Sequence, residues 1–329
     1  MEAFTKMKIG MISFWHVHAK DYAEEARIHP DIEIAAIWDE NEERGRKEAQ
    51  MREVEYISDL EDLLNRQEIE AVVVSSPTNR HKEVMVQAAQ AGKHIFTEKV
   101  LASTEEEAIV ILNAVKESGV KLFVSLPRVY DGYTEAVQNL IESSELGELT
   151  QTRVRLAHNG ATADWLPNHF YNKEECQGGA LIDLGCHPLY LTRLFHGMPE
   201  RVTAQFGYLT KKEVEDQAIV TFGYENGSYG VAETGFVTAH SPFTIEIHGT
   251  KGSAIYGIPD KKLIKKVSDK WEEVMIPTDK PSPFSQWIDH IQTDKGTDEN
   301  LALALDLTVL MEAAYQAEKT KSEVVINPR

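Results

Sequence analysis

The run Ala71-Val72-Val73-Val74 constrains this chain more than any other stretch. It is continuously apolar and rich in β-branched residues, and it continues into Ser75-Ser76 without the polar alternation of a half-solvated strand. Such a run suits a strand covered on both faces, the interior position of a parallel sheet. The segments around it agree. Lys8–Ser13 and Ile32–Trp38 are short apolar runs upstream, and His94–Thr97 and Lys121–Ser125 follow downstream. Between them, His18–His29, Asn41–Arg52, His81–Ala91 and Thr104–Glu117 carry helical periodicity. Ser103–Glu106 (STEE) reads as a capping box for the last of these, with Gly119 as its stop. Strands alternating with helices at this spacing predict a doubly wound, Rossmann-type α/β domain over residues 1–125. Its ligand crevice is expected at the carboxyl ends of the strands.

A chain of 329 residues is too long for one typical core, so a second domain is expected over 126–329. Its strand-like runs are Glu148–His158, Arg201–Leu209, Gln217–Tyr224, Ser228–Phe236, Phe243–His248, Ser253–Tyr256 and Trp271–Ile276. Asn226-Gly227 is a hairpin signal between two of them. Helices are predicted over Tyr133–Ser143, Ala180–His196, Phe284–Ile291 and Asn300–Glu318. This pattern predicts an α+β domain with a large, mostly antiparallel open sheet, backed by helices on one face. An apolar opposite face would need a partner, so a homodimer or homotetramer through this sheet is expected. The net charge of −19 argues against nucleic-acid and anionic-membrane partners. Two cysteines, Cys176 and Cys186, read as reduced thiols, and no apolar run approaches a membrane span. A cytoplasmic protein is the expectation.

The crevice loops hold the candidate binding residues. In the loop Ser13-Phe14-Trp15-His16, Ser13, Trp15 and His18 stand where a G-x-G-x-x-G fingerprint would place its glycines. Ser13 is expected to cap the following helix and to donate to a phosphate. Asp39 ends the second strand, where an acid binds the ribose hydroxyls of NAD and repels the 2′-phosphate of NADP. His16 and His18 form an HxH pair with no third ligand spaced to complete a metal site, so no metal is expected. Ser76-Pro77-Thr78-Asn79-Arg80-His81 and Glu98-Lys99-Val100 follow two further strands. Later, Gly178–Gly197 (GGALIDLGCHPLYLTRLFHG) places Asp183 and His187 on one helix face, with Tyr190 continuing it. Pro188 should free the Leu184 carbonyl and kink the run just after His187. By themselves Asp183 and His187 read equally as a structural pair or as a site.

Taken together these motifs resemble the Gfo/Idh/MocA oxidoreductases, the family of glucose–fructose oxidoreductase and inositol dehydrogenase. The resemblance rests on Pro77-Thr78-Asn79-Arg80-His81, on Glu98-Lys99, and on Gly178, Gly179, Leu181, Asp183, Gly185 and His187. Val100 stands where that family has proline. The resemblance implies hydride transfer between NAD (NADP less favoured) and a hydroxyl-bearing carbon of a sugar, cyclitol or related polyol. It implies Lys99, Asp183 and His187 as catalytic groups, His187 as base and Lys99 as electrostatic stabiliser and proton relay. It assigns the cofactor to Ser13, Phe14, Trp15, His16, Asp39, Ser76, Pro77, Thr78, Asn79, His81, Glu98 and Lys99. The substrate would meet Arg128, Trp165, His169 and Tyr171 besides Asp183 and His187. The glycines ahead of Asp183 would let the chain approach the cofactor closely. Two other readings fit the same scaffold: a binding or regulatory protein with weakened cofactor affinity, and a lyase or hydrolase using transient nicotinamide oxidation.

Overall fold

The computed structural model describes residues 6–258 and 260–327. They form two compact units, one holding 6–125 with 282–302 and the other 126–281 with 303–327.

The first unit is built on a six-stranded sheet of β1 (Met7–Ile12), β2 (Ile32–Trp38), β3 (Glu55–Tyr56), β4 (Ala71–Val74), β5 (His94–Thr97) and β6 (Leu122–Val124). The order is β3-β2-β1-β4-β5-β6 and its five strand pairings are parallel. Ala71–Val74 lies inside the sheet with all four side chains buried, as its composition requires. The chain reverses its winding between β1 and β4, the switch point at which such sheets bind ligands. β3 is only two residues long and carries too little pattern to be read from sequence. The helix Glu105–Ser118 is capped one residue later than STEE suggested: Thr104 accepts the Glu107 amide, while the Ser103 hydroxyl is buried without a hydrogen-bond partner. The helix Pro283–Gln292 also belongs here, packing Phe284 and Trp287 against Phe96 at ring separations of 5.4 and 5.6 Å. Asn300 pairs with β6 like a further strand, its side-chain oxygen accepting the Val124 amide and its nitrogen donating to the Val124 carbonyl.

The second unit carries a nine-stranded sheet. Its strands are β7 (Leu149–Ala157), β8 (Arg201–Gly207), β9 (Gln217–Gly223), β10 (Tyr229–Gly235), β11 (Thr244–Gly249), β12 (Ser253–Tyr256), β13 (Leu263–Lys266), β14 (Glu272–Val274) and β15 (Val324–Val325). The order is β14-β13-β12-β11-β7-β10-β9-β8-β15, antiparallel except where β10 lies parallel to β7. The helix Cys186–His196 packs on β7 and β10. A Cβ at Gly230 would come within 2.9 Å of Thr192 on that helix, so glycine sets how closely helix and sheet approach. The opposite face is not the apolar surface that would demand a partner. Arg153 pairs there with Glu233 at 2.8 Å and Glu246 at 3.6 Å, and Thr203 bonds Thr221. Ile219 and Tyr229 are exposed among these polar neighbours.

The Gly-Gly segment is also not a proline-kinked helix. Leu181–Gly185 is a single π-helical turn and the α-helix starts only at Cys186, which places Pro188 in its first turn. There a missing amide costs no intrahelical bond. The Asp183 carbonyl, which a π-register amide at position 188 would have met, accepts the Cys186 thiol at 3.0 Å instead. No helix among the described residues is long and apolar enough to cross a membrane.

Candidate active site

At the carboxyl end of β1, Ser13 takes the left-handed conformation (φ 71°) that a fingerprint turn ordinarily gives to glycine. The helix that follows is Ala19–Ile28, whose N-cap is His18, so Ser13 does not cap it. The Ser13 hydroxyl instead donates to Glu40 at 3.0 Å and accepts the Trp15 amide at 3.0 Å. The Phe14 amide donates to Asp39, and the His16 amide to the Ser75 carbonyl at 3.1 Å. The turn is thus held by side chains where glycines are missing, and the Trp15 ring is buried.

Asp39 is buried and occupied. Its Oδ2 accepts from the Phe14 amide and Arg44 Nε, and its Oδ1 from the Asn41 amide and Arg44 Nη2. Asp39 thus organises the loop at the position where an acid was expected to meet the ribose. Glu40 beside it keeps a buried Oε2 with no hydrogen-bond partner, and burial together with Asp39 raises its carboxyl above the usual value. The Ser75 and Ser76 hydroxyls at the end of β4 are likewise buried without partners. Orphaned polar atoms gathered at the switch point fit a polar ligand such as a dinucleotide.

The next two loops are tied together by His81, whose ring nitrogens face the Val100 carbonyl at 2.9 Å and the Ser76 carbonyl at 3.2 Å. Burial pulls this imidazole below its ordinary value, although both carbonyls favour its protons. Pro77 and Thr78 are buried, Asn79 is exposed, and Lys99 is buried with its amide donating to Glu98 at 3.0 Å. The Lys99–Val100 peptide is cis. Glu98 is the third partner that sequence spacing did not supply for His16 and His18. His18 Nδ1 lies 3.0 Å from Glu98 Oε1 and His16 Nδ1 lies 3.7 Å from it, and Tyr22 donates its hydroxyl to the same oxygen. Burial opposes the Glu98 charge, yet the two histidines and Lys99 hold the carboxyl far below the usual range. One ligand atom from each of His16, His18 and Glu98 falls within 4.8 Å of the others, a spacing open to a metal ion. Those atoms already serve one another: His16 Nδ1 also accepts the His18 amide at 3.3 Å.

In the second unit, Glu215 organises the start of the Gly-Gly segment. Its Oε1 accepts the amides of Gly179 and Leu181, each at 2.9 Å, and the Tyr315 hydroxyl at 2.7 Å. The two glycines exist for this packing. A Cβ on Gly179 would lie 2.1 Å from the Glu215 carbonyl oxygen, and one on Gly178 would lie 1.9 Å from the Tyr315 hydroxyl. Close approach is therefore to the protein's own chain, which corrects the expectation that these glycines make room for a cofactor. Beyond the π-turn, His187 is buried with Nδ1 at 2.9 Å from the Tyr190 hydroxyl, which also accepts the Arg128 amide at 3.1 Å. Asp183 is half-buried.

The expected substrate residues divide. Trp165 is 55% exposed and lies against His158, with ring centroids 4.6 Å apart. His158 was not singled out in the sequence. It stacks on Phe236, its Nδ1 accepts the Gly160 amide, and burial lowers it while Asp183 pulls it back up. Tyr171 is a core residue with Leu166, Phe170, Ala180, Val214 and Phe236, whereas His169 is half-buried. The Arg128 guanidinium donates to Tyr133 at 3.0 Å and lies 4.5 Å from the centre of the Phe243 ring, leaving Nε buried without a partner.

Comparison with known proteins bears on both units. Residues 7–126 match the family described as "Oxidoreductase family, NAD-binding Rossmann fold", and residues 134–255 match the "GFO/IDH/MocA C-terminal domain". The chain is 30% identical to the uncharacterized oxidoreductase YrbE of Bacillus subtilis (strain 168) over 233 residues, 68% of this chain and 66% of that protein. It is 24% identical to the scyllo-inositol 2-dehydrogenase (NADP(+)) IolU of the same organism over 317 residues, 93% of this chain and 94% of that one. Levoglucosan dehydrogenase in complex with NADH and levoglucosan shares the fold, with a TM-score of 0.84 at 20% identity over 99% of this chain and 100% of that one.

Proposed function

We propose, from the premise that this chain belongs to the Gfo/Idh/MocA family of NAD-binding oxidoreductases, that it transfers a hydride between a nicotinamide dinucleotide and a hydroxyl-bearing carbon of a sugar, cyclitol or related polyol. The observation that carries the reading is the orphaned polar rim at the switch point, Ser75 Oγ, Ser76 Oγ and Glu40 Oε2, in a sheet of dinucleotide-binding topology. The dinucleotide, when bound, supplies the hydride acceptor or donor. The residues proposed to hold it are those of the Ser13–His16 turn, Asp39 with Glu40, the Ser76–Asn79 loop with His81, and Glu98. Residues 1–125, which 282–302 join, are proposed as its domain, and the rest of 126–329 as the domain for substrate and assembly.

Lys99, Asp183 and His187 are proposed as the catalytic groups. In the oxidising direction the substrate hydroxyl loses its proton while hydride leaves the same carbon, and the O–H electron pair becomes the second carbonyl bond. The chain must accept that proton and stabilise the negative charge growing on oxygen. Arg128, Trp165 and His169 are proposed to contact the polyol, Trp165 through its exposed ring face. Tyr171 is proposed to act through packing. A homodimer or homotetramer through the open face of the nine-stranded sheet, in the cytoplasm, completes the proposal, its contact resting on the polar pairs of Arg153, Glu233 and Glu246 rather than on an apolar surface.

The test is kinetic. Lys99→Ala and His187→Ala should each keep the fold by circular dichroism while losing about a hundredfold or more in kcat on the best polyol. Near-wild-type turnover in His187→Ala would remove His187 from the chemistry.

A further inference from the structure

The proton inventory around Tyr190 bears on how His187 can act. Tyr190 is fully buried in the Cys186–His196 helix. Among the described residues its oxygen meets two hydrogen-bonding groups, the Arg128 backbone N–H at 3.1 Å and His187 Nδ1 at 2.9 Å. The Arg128 amide can only donate, so it takes a lone pair of the phenol oxygen. The phenol keeps its proton, because burial raises its ionisation well above the ordinary value. That single proton then has one acceptor within reach, the imidazole Nδ1. The opposite arrangement, with His187 donating from Nδ1, would crowd two donors onto the phenol oxygen. It would also leave a buried hydroxyl proton unbonded, which is unfavourable.

We infer that Tyr190 fixes neutral His187 as the tautomer carrying its proton on Nε2, so that His187 presents a hydrogen-bond donor to the substrate oxygen. Tyr190 is the positioning residue and touches no substrate itself. This deepens the proposed function, and only its catalytic consequence rests on that reading. A donor at Nε2 cannot take the substrate's hydroxyl proton, so His187 is not the base. In the oxidising direction Nε2–H bonds the oxygen as it turns from hydroxyl to carbonyl. The hydroxyl proton therefore leaves to a base other than His187 or to solvent, and hydride leaves the carbon to the nicotinamide. In the reducing direction the same Nε2–H polarises the carbonyl while hydride arrives, and a proton from that other base or from solvent completes the hydroxyl. His187 keeps its own proton throughout.

The tautomer can be read directly on the full-length protein without any ligand. Nitrogen-15 spectra of histidine-labelled protein, with the His187 resonances assigned by their loss in His187→Gln, report which ring nitrogen is protonated above the imidazole titration. The expected result is a bare Nδ1 and a protonated Nε2 in the wild type, with that preference weakened in Tyr190→Phe. A protonated Nδ1 in the wild type, or an unchanged tautomer in Tyr190→Phe of native circular dichroism, would overturn the assignment. A kinetic arm tests the consequence. The Gln amide can donate where Nε2–H does, so His187→Gln should keep at least about tenfold more kcat than His187→Ala, within the hundredfold scale of a lost oxyanion donor. Equal losses would overturn the donor role. Absence of turnover on every polyol would count against the proposed function, while the spectra would still decide the tautomer.

Discussion

Arg44 grips Asp39 with two nitrogens, Nε to Oδ2 at 2.9 Å and Nη2 to Oδ1 at 2.7 Å, and extends Nη2 to Glu40 as well. A buried acid at the end of β2 opposes a 2′-phosphate, but here it comes with a guanidinium that offsets its charge and suits phosphate. Removing Arg44 leaves two carboxyl groups without that offset. Arg44→Ala should therefore lower the ratio of NADPH to NADH affinity by about tenfold or more, a difference of about 1.4 kcal/mol. Paired titrations with the two cofactors measure it. An unchanged ratio would show that Arg44 serves the loop alone.

Glu215 gathers three donors at the start of the Gly-Gly segment. Glu215→Ala strands two buried amides and a buried phenol and should cost about 3 kcal/mol or more. Denaturant unfolding reads this loss.

The same carboxyl makes a pH prediction. Burial raises Glu215 above its ordinary value, against the pull of the Leu181 amide, Tyr315 and the Gly179 amide. The folded chain thus binds this proton more tightly than the unfolded chain. Its contribution to stability is greatest below the ordinary carboxyl value and declines as pH rises through the raised one. The melting-temperature advantage of the wild type over Glu215→Gln should shrink as pH rises through that interval. Glu98 runs the other way. It is held below its ordinary value against burial, so its contribution is full above the ordinary value and fades as pH falls towards the lowered one.

Gly179 and Gly197 separate two uses of glycine. A Cβ at Gly179 would collide with backbone at 2.1 Å, whereas Gly197 has open space and only a positive φ of 86°. Gly197→Ala should cost about 1–3 kcal/mol, because φ 86° with ψ −173° is a region essentially reserved for glycine. Gly179→Ala should cost clearly more, because the segment must shift off Glu215. Equal losses in thermal melts would contradict this packing account.

The cap of Glu105–Ser118 offers a control on local structure. Thr104→Ala should lose about 1 kcal/mol, and Ser103→Ala should lose less, since its hydroxyl caps nothing. Urea midpoints of the two variants decide it.

The parallel sheet was legible because burial on both faces leaves a compositional mark, and Ala71–Val74 carries it plainly. The loops at Ser76–His81 and Glu98–Lys99 were found because they follow such strands. Local chemistry set the limits of that reading. Ser103 and Thr104 both begin a four-residue motif ending in glutamate, and only backbone geometry selects Thr104. Glu215 lies 36 residues beyond the amide of Gly179 that it accepts, so no local pattern announces it. Glu98 meets His18 across 80 residues for the same reason. The His187–Tyr190 spacing was visible in the helix, but the direction of its hydrogen bond depends on the Arg128 amide, 62 residues from Tyr190. Ser13 shows a further limit: it was expected to cap the following helix, while it adopts the left-handed conformation and bonds Glu40 and the Trp15 amide instead.

The central claim is that the Ser13–His16 turn and the rim at Ser75, Ser76 and Glu40 still bind a nicotinamide dinucleotide without the glycine fingerprint. Titration of the purified chain with NADH and NADPH, following energy transfer from tryptophan to the reduced nicotinamide, tests this most directly. The account predicts saturable, exchangeable binding that weakens when Glu40 or Ser76 is replaced by alanine. No transfer from either cofactor up to millimolar concentration would contradict it and return the chain to a binding or regulatory role.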